Sequence, residues 1–280
     1  MQPRLLQDPI GGDLAFDAPP RRIVSLVPPL TELLFDLGVG DRVVGVSREC
    51  REPAAALAGL PRVGRTRDPE VAAVRALEPD LVFTVAEDTL VREVRRLEAA
   101  GVAVYQARVE SVEDAVGLIG EVGDVVDAPP PAVAALFQAA RRAVYEARKI
   151  AASHPAVPVF CPLWRDPWIT FAPNTYPYDV LEACGARPVT VPLRGAKDRR
   201  YPIAELAAVA AAQPALVLLP DRPFPFGPAD VAELERLLPE ARILRCDGRD
   251  LMWYGRRMGA LPSLAERIGG QRPDRGGDPP

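Results

Sequence analysis

From Arg21 onward, short apolar runs alternate with amphipathic stretches of about 10 to 15 residues, the pattern of βα units around a mostly parallel sheet. The first half predicts strands over 23–27, 43–46, 81–85 and 102–105, and helices over 30–37, 69–76, 89–100 and 112–126. In the first of these helices Leu30, Leu33, Leu34 and Leu37 fall at i, i+3, i+4 and i+7, one buried stripe. Three prolines then lead into 132–152, an alanine-rich stretch without internal Gly or Pro that predicts a long helix. The second half restarts the pattern with strands over 157–161, 216–219 and 243–246, and helices over 178–184, 203–212, 230–238 and 263–268. The expected fold is α/β. A lobe over 21–128 and another over 154–268 are joined by a single linking helix over 129–153, with an N-terminal extension over 1–20 and a disordered tail over 269–280.

A short internal repeat relates the lobes. Glu70-Val71-Ala72-Ala73-Val74 leads to Pro79-Asp80-Leu81-Val82, and Glu205-Leu206-Ala207-Ala208-Val209 leads to Pro214-Ala215-Leu216-Val217, with glutamate nine positions before proline in both.

Composition narrows the function. At 48% hydrophobic and 26% charged residues this is an ordinary folded chain, and its net charge of -4 offers no basic field for nucleic acid. Its 32 prolines lie between apolar runs and read as element boundaries. No apolar run reaches the roughly 18 to 20 residues of a membrane span. The first 20 residues lack the features of a signal peptide, so the chain is expected to be cytoplasmic if complete as written, and periplasmic or otherwise extracytoplasmic if a signal peptide has been trimmed. Cys50, Cys161, Cys184 and Cys246 are widely spaced and read as buried free thiols. The one histidine, His154, lies in a loop-like stretch and is expected to be solvated, so neither a multi-histidine metal site nor an intrinsic cofactor is expected. No P-loop, dinucleotide fingerprint or GxSxG elbow is present.

The aromatic residues are unevenly placed. Of 17, five (Trp164, Trp168, Phe171, Tyr176 and Tyr178) fall in 15 residues that follow a predicted strand. Loops beyond the carboxyl ends of parallel strands are where α/β folds hold ligands. Asp221, Arg222, Phe224 and Phe226 follow a second strand, and Trp253, Tyr254 and Arg256 a third. Rings give flat contact area at low entropy cost, and arginines reach polar groups. The alternative is that the tryptophans cap the lobe's core. The first lobe offers Pro28 before its first helix, Glu49 and Cys50 after its second strand, and Arg65 and Glu87 at later turns.

These residues carry a resemblance. RIVSLVPPLTELLFDLG over 22–38, DRVVGV over 41–46 and LEPDLV over 77–82 resemble the opening of the helical-backbone (class III) solute-binding proteins of ABC importers. CPLWRDPW over 161–168, with Thr175-Tyr176 and DVLEACG over 179–185, resembles the cobalamin-binding branch. The resemblance implies two Rossmann-like lobes of the periplasmic-binding-protein and chelatase kind, bridged by a rigid helix around a cleft. It implies a corrinoid (cobalamin-like) or related metal chelate as ligand, and a monomer that docks on ABC permease subunits through one glutamate per lobe, here Glu70 and Glu205. Trp164, Trp168, Tyr176, Trp253 and Tyr254 would line the macrocycle, and Arg165, Arg256 and Arg65 would pair with its periphery. On this reading Trp168→Ala weakens binding and leaves melting nearly unchanged. The alternatives are a ferric siderophore or haem as ligand, or a cytoplasmic corrinoid-handling enzyme with Glu49, Cys50, Glu87 or Asp166 as acid, base or thiol.

Overall fold

The structure is a computed structural model that describes residues 4–87, 89–189 and 200–270. Backbone contacts divide the chain into two units. The first takes residues up to Val109, Glu113–Ala140 and Tyr254–Arg256; the second takes Glu110–Val112, Arg141–Trp253 and the chain from Arg257 onward.

The N-terminal extension forms an antiparallel hairpin of β1 (Arg4–Gln7) and β2 (Asp13–Phe16), which alternates along β2 to bury Leu14 and Phe16. Asp8 in its turn accepts hydrogen bonds from the N–H groups of Ile10 and Gly12 and, at 3.1 Å, from the Gln106 N–H. There follow β3 (Ile23–Ser25), α1 (Pro28–Asp36), β4 (Val43–Val46), α2 (Ala54–Leu57), α3 (Val71–Ala76), β5 (Leu81–Val85), α4 (Val91–Ala99), β6 (Val104–Ala107), α5 (Val112–Val125) and α6 (Pro130–Ala151). The leucine stripe of α1 is buried as expected, and Gly38 at φ 77° closes the helix with its N–H on the Phe35 carbonyl. A Cβ on Gly123 of α5 would stand 2.7 Å from Val133, so only glycine allows α5 and α6 to approach this closely. Helix α6 carries residues of both units.

The second unit continues with β7 (Val157–Phe160), α7 (Tyr176–Ala183), β8 (Ala186–Pro188), α8 (Leu206–Ala211), β9 (Leu216–Pro220), α9 (Pro228–Leu237), β10 (Arg242–Cys246), α10 (Gly248–Met252) and α11 (Leu261–Gly269). The tail expected from Gly269 begins instead as the last residue of α11, and 271–280 lie outside the described residues.

Apart from the β1-β2 hairpin, the described residues form one four-stranded, all-parallel sheet in each unit, ordered β4-β3-β5-β6 in the first and β10-β9-β7-β8 in the second. Counted in chain order within its unit, each sheet therefore runs 2-1-3-4. The central strands β5 and β9 are buried along their whole length, which is why they read as unbroken apolar runs. In both sheets the order reverses between the first and third strands, and ligands of open α/β sheets gather outside the carboxyl ends at that switch point.

The repeat is structural as well. Helices α3 and α8 are each six residues long and start after Glu70 and Glu205. Each is followed by a left-handed residue, Glu78 at φ 46° and Gln213 at φ 49°, that turns the chain through a proline into a central strand.

Candidate functional site

At the switch point of the second unit, the loop after β7 folds back on itself. The Leu163 N–H donates to the Ile169 carbonyl at 2.7 Å and the Ile169 N–H to the Trp164 carbonyl at 3.0 Å, with Asp166 at φ 58° at the tip. This small hairpin separates two tryptophans. Trp164 points out and is 44% exposed, whereas Trp168 points in, 9% exposed, and joins a core with Phe160, Val217 and Leu219. The loop after β9 supplies their partners: Phe226 stacks on Trp168 at 5.7 Å with planes 5° apart, and Phe224 meets Trp164 edge-on at 5.4 Å. Phe224 and Phe226 lie 5.0 Å apart, so one set of rings sews the two loops together and leaves Trp164 and Phe224 at the rim. This burial argues against the expectation that Trp168→Ala would spare melting.

Arg165, expected to face a ligand, is committed elsewhere. Its guanidinium binds Asp230 and, at 2.6 Å, Glu233, both on α9, and lies 5.2 Å over the Trp168 ring. Asp221 is exposed and held by the Arg222 fork at 3.1 and 2.9 Å and by the Gly248 N–H at 2.8 Å. Those contacts, the Arg222 hydrogen bond foremost, bring its carboxyl from 3.8 to about 2.

The third expected loop is different. Helix α10 intervenes between β10 and Trp253, which is half-buried at the helix's end beneath Arg257 at 5.8 Å. Tyr176 is buried in the first turn of α7 and donates its hydroxyl to the Trp253 carbonyl at 3.3 Å; burial raises its pKa. Tyr254, also buried, and Arg256 belong to the first unit. There Arg256 pairs with the buried Glu32 of α1 at 3.0 Å and with Asp36 at 3.4 Å.

In the first unit Pro28 and Pro29 do not precede α1; they are its first turn. They lack N–H groups, which thins the row of helix-end donors that was expected to face a ligand. After β4, Glu49 accepts from the Arg65 guanidinium at 3.1 Å and the Thr66 N–H at 3.0 Å. Burial alone would raise its pKa, but these hydrogen bonds outweigh it and the carboxyl ends below its ordinary range. Cys50 is fully buried, with its sulfur 3.1 Å from the hydroxyls of both Thr31 and Ser47, and burial raises its pKa. It is a poor nucleophile in this state. Glu87, half-buried, accepts from the Val109 N–H at 3.3 Å. Glu70 and Glu205 are both exposed, and Glu70 pairs with Arg48 at 2.7 Å.

His154 is not solvated as expected. It is half-buried against Gly185 and Gly269, where a Cβ would come within 2.8 and 2.2 Å of its ring. Among the described residues no group of three His, Cys, Asp or Glu side chains could hold a metal ion, and no helix is long and apolar enough to cross a membrane. The sequence places Phe226 in the aromatic loop after β9, but Asp230 and Glu233 are not singled out by it. The one local signal was Gly227-Pro228 with an acid three residues after the glycine, a helix-start pattern.

Comparison with known proteins agrees with this architecture. A vitamin B12-binding protein of Vibrio cholerae serotype O1 is 27% identical over 204 residues, covering 73% of this chain and 72% of the relative. The crystal structure of the periplasmic vitamin B12 binding protein of Vibrio cholerae superimposes with a TM-score of 0.76 at 21% identity, over 90% of this chain and 99% of that one, a likeness of fold. A periplasmic heme binding protein from Pseudomonas aeruginosa gives a TM-score of 0.75 at 26% identity, over 89% and 93%. These relatives are binding proteins, and neither they nor the buried Cys50 support a cytoplasmic enzyme. The profile of the periplasmic binding protein family matches residues 23–235, three-quarters of the sequence, and the chain belongs to that family.

Proposed function

We propose that this protein is a non-catalytic substrate-binding protein that captures a corrinoid, or a closely similar metal chelate, outside the cytoplasm for an ABC importer. The observation that carries the reading is the Trp164–Phe224 ring pair, brought to the rim of the second unit by the two loops at its switch point. Such rings offer flat contact area to a macrocycle. On the loop of Phe224, Asp221 and Arg222 supply charged groups that polar side chains of a corrinoid would meet. Haem is the second reading, favoured by the Pseudomonas aeruginosa relative. Glu70 and Glu205, exposed at equivalent positions of the repeat, are the carboxylates that arginines of a permease would engage, and the binding protein acts as a monomer.

The test is quenching of tryptophan fluorescence on titration with cyanocobalamin, cobinamide and haemin, corrected for absorbance. Saturable binding of a corrinoid at micromolar or tighter affinity, weakened by more than about 1 kcal/mol in Trp164→Ala, is the expected result. Saturation with haemin alone transfers the protein to the haem reading, and no saturation with any probe overturns both.

A further inference from the structure

Asp230 sits at the junction of the two loops that carry the rim rings. It is 8% exposed, in the first turn of α9, and its two oxygens do different work. Oδ2 accepts the Gly227 N–H at 2.6 Å, which fixes the end of the loop holding Phe224 and Phe226. Oδ1 accepts from the Arg165 guanidinium, which belongs to the other loop, at the position between Trp164 and the tip of its hairpin. Glu233, one turn further along α9, takes the second arm of the same guanidinium at 2.6 Å. The face of that guanidinium covers Trp168, which in turn stacks on Phe226.

An arginine fork in two carboxylates has one geometry, and a carboxylate buried to this degree would be costly without its cation. The clasp therefore ties the Trp164 hairpin to the start of α9 at one orientation. We infer that Asp230 and Glu233, acting through Arg165, are positioning residues for the ligand: they hold Trp164 against Phe224 in the arrangement that a flat chelate meets, and so remove ordering cost from binding. The inference rests on the chelate-binding reading of the preceding section. It reassigns Arg165 from ligand contact to support.

Asp230→Asn separates the two jobs of this residue, because the amide oxygen can still accept the Gly227 N–H while its own charge on Arg165 is gone and Glu233 alone holds the fork from α9. Two readouts are taken on the intact protein. Hydrogen exchange by mass spectrometry follows the amides of Leu163 and Ile169, which close the hairpin, and fluorescence titration follows cyanocobalamin and haemin. Faster exchange confined to the hairpin, with about tenfold weaker binding of whichever probe the wild type takes, is expected for Asp230→Asn, and a smaller effect in the same direction for Glu233→Gln. Arg165→Lys, which keeps the charge but loses the fork, should fall between wild type and Arg165→Ala.

Unchanged hairpin exchange overturns the inference, as does a loosened hairpin with affinity within twofold of wild type. An affinity loss accompanied by faster exchange throughout the second unit also overturns it, because the clasp would then be a general stabiliser. If the wild type binds neither probe, the chelate reading fails on its own titration, and the exchange experiment still decides whether the clasp orders the hairpin.

Discussion

Trp164 and Trp168 lie four residues apart in one loop and have opposite duties. Trp168→Ala removes a ring from a packed core and is expected to cost about 3 to 5 kcal/mol in urea unfolding. Trp164→Ala removes a rim ring and is expected to cost about 1 kcal/mol or less in the same experiment. Equal losses for the two variants would contradict the inside-out division of the hairpin. The sequence made the concentration of aromatic residues plain but not which ring faces outward. That depends on the left-handed turn at Asp166 and on Phe226, which arrives from another loop nearly sixty residues later. Arg165 was unreadable for the same reason: the two carboxylates closest to its guanidinium are on α9, and nothing local announces them. Arg256, read as a ligand group, is likewise claimed by Glu32 from the far end of the chain.

The elements were largely legible, and five of the misplaced helix starts share one cause. The sequence reading starts five helices two residues late, at 30, 132, 178, 230 and 263, where α1, α6, α7, α9 and α11 begin at Pro28, Pro130, Tyr176, Pro228 and Leu261. Each has proline in its first two positions, so residues taken as boundaries are the first turn itself, where proline's missing N–H costs nothing. Strands β1, β2 and β8 went unread, although Leu14 and Phe16 stand at alternate, buried positions of β2. The glutamate-to-proline repeat was legible, and its left-handed residue was not. Because Glu78 and Gln213 occupy the same backbone conformation, Glu78→Gly and Gln213→Gly should each raise stability, by up to about 1 kcal/mol, by relieving a left-handed non-glycine residue. Urea midpoints check this, and shifts of opposite sign would show that the two turns are not equivalent.

At the scale of the whole molecule, the alternation of strands and helices and the quoted motifs were enough for the α/β class and the family, because both rest on element order. The shared 2-1-3-4 strand order was not readable, since it requires β8, a strand without an apolar run. The cysteines were read correctly as buried free thiols, and their distribution has a practical use. Cys50 lies in the first unit and Cys161, Cys184 and Cys246 in the second. Burial raises the pKa of all four, with Cys184 and Cys246 pushed up to about 12, so almost no reactive thiolate exists in the native protein. A thiol-specific chromogenic reagent should therefore be silent on the native protein and count four equivalents in strong denaturant; rapid native labelling of any thiol would contradict its burial. Between those limits the count becomes a stopwatch with two hands: three equivalents ahead of the fourth would mean that the second unit melts first, one ahead of three the reverse, and four together a single cooperative event.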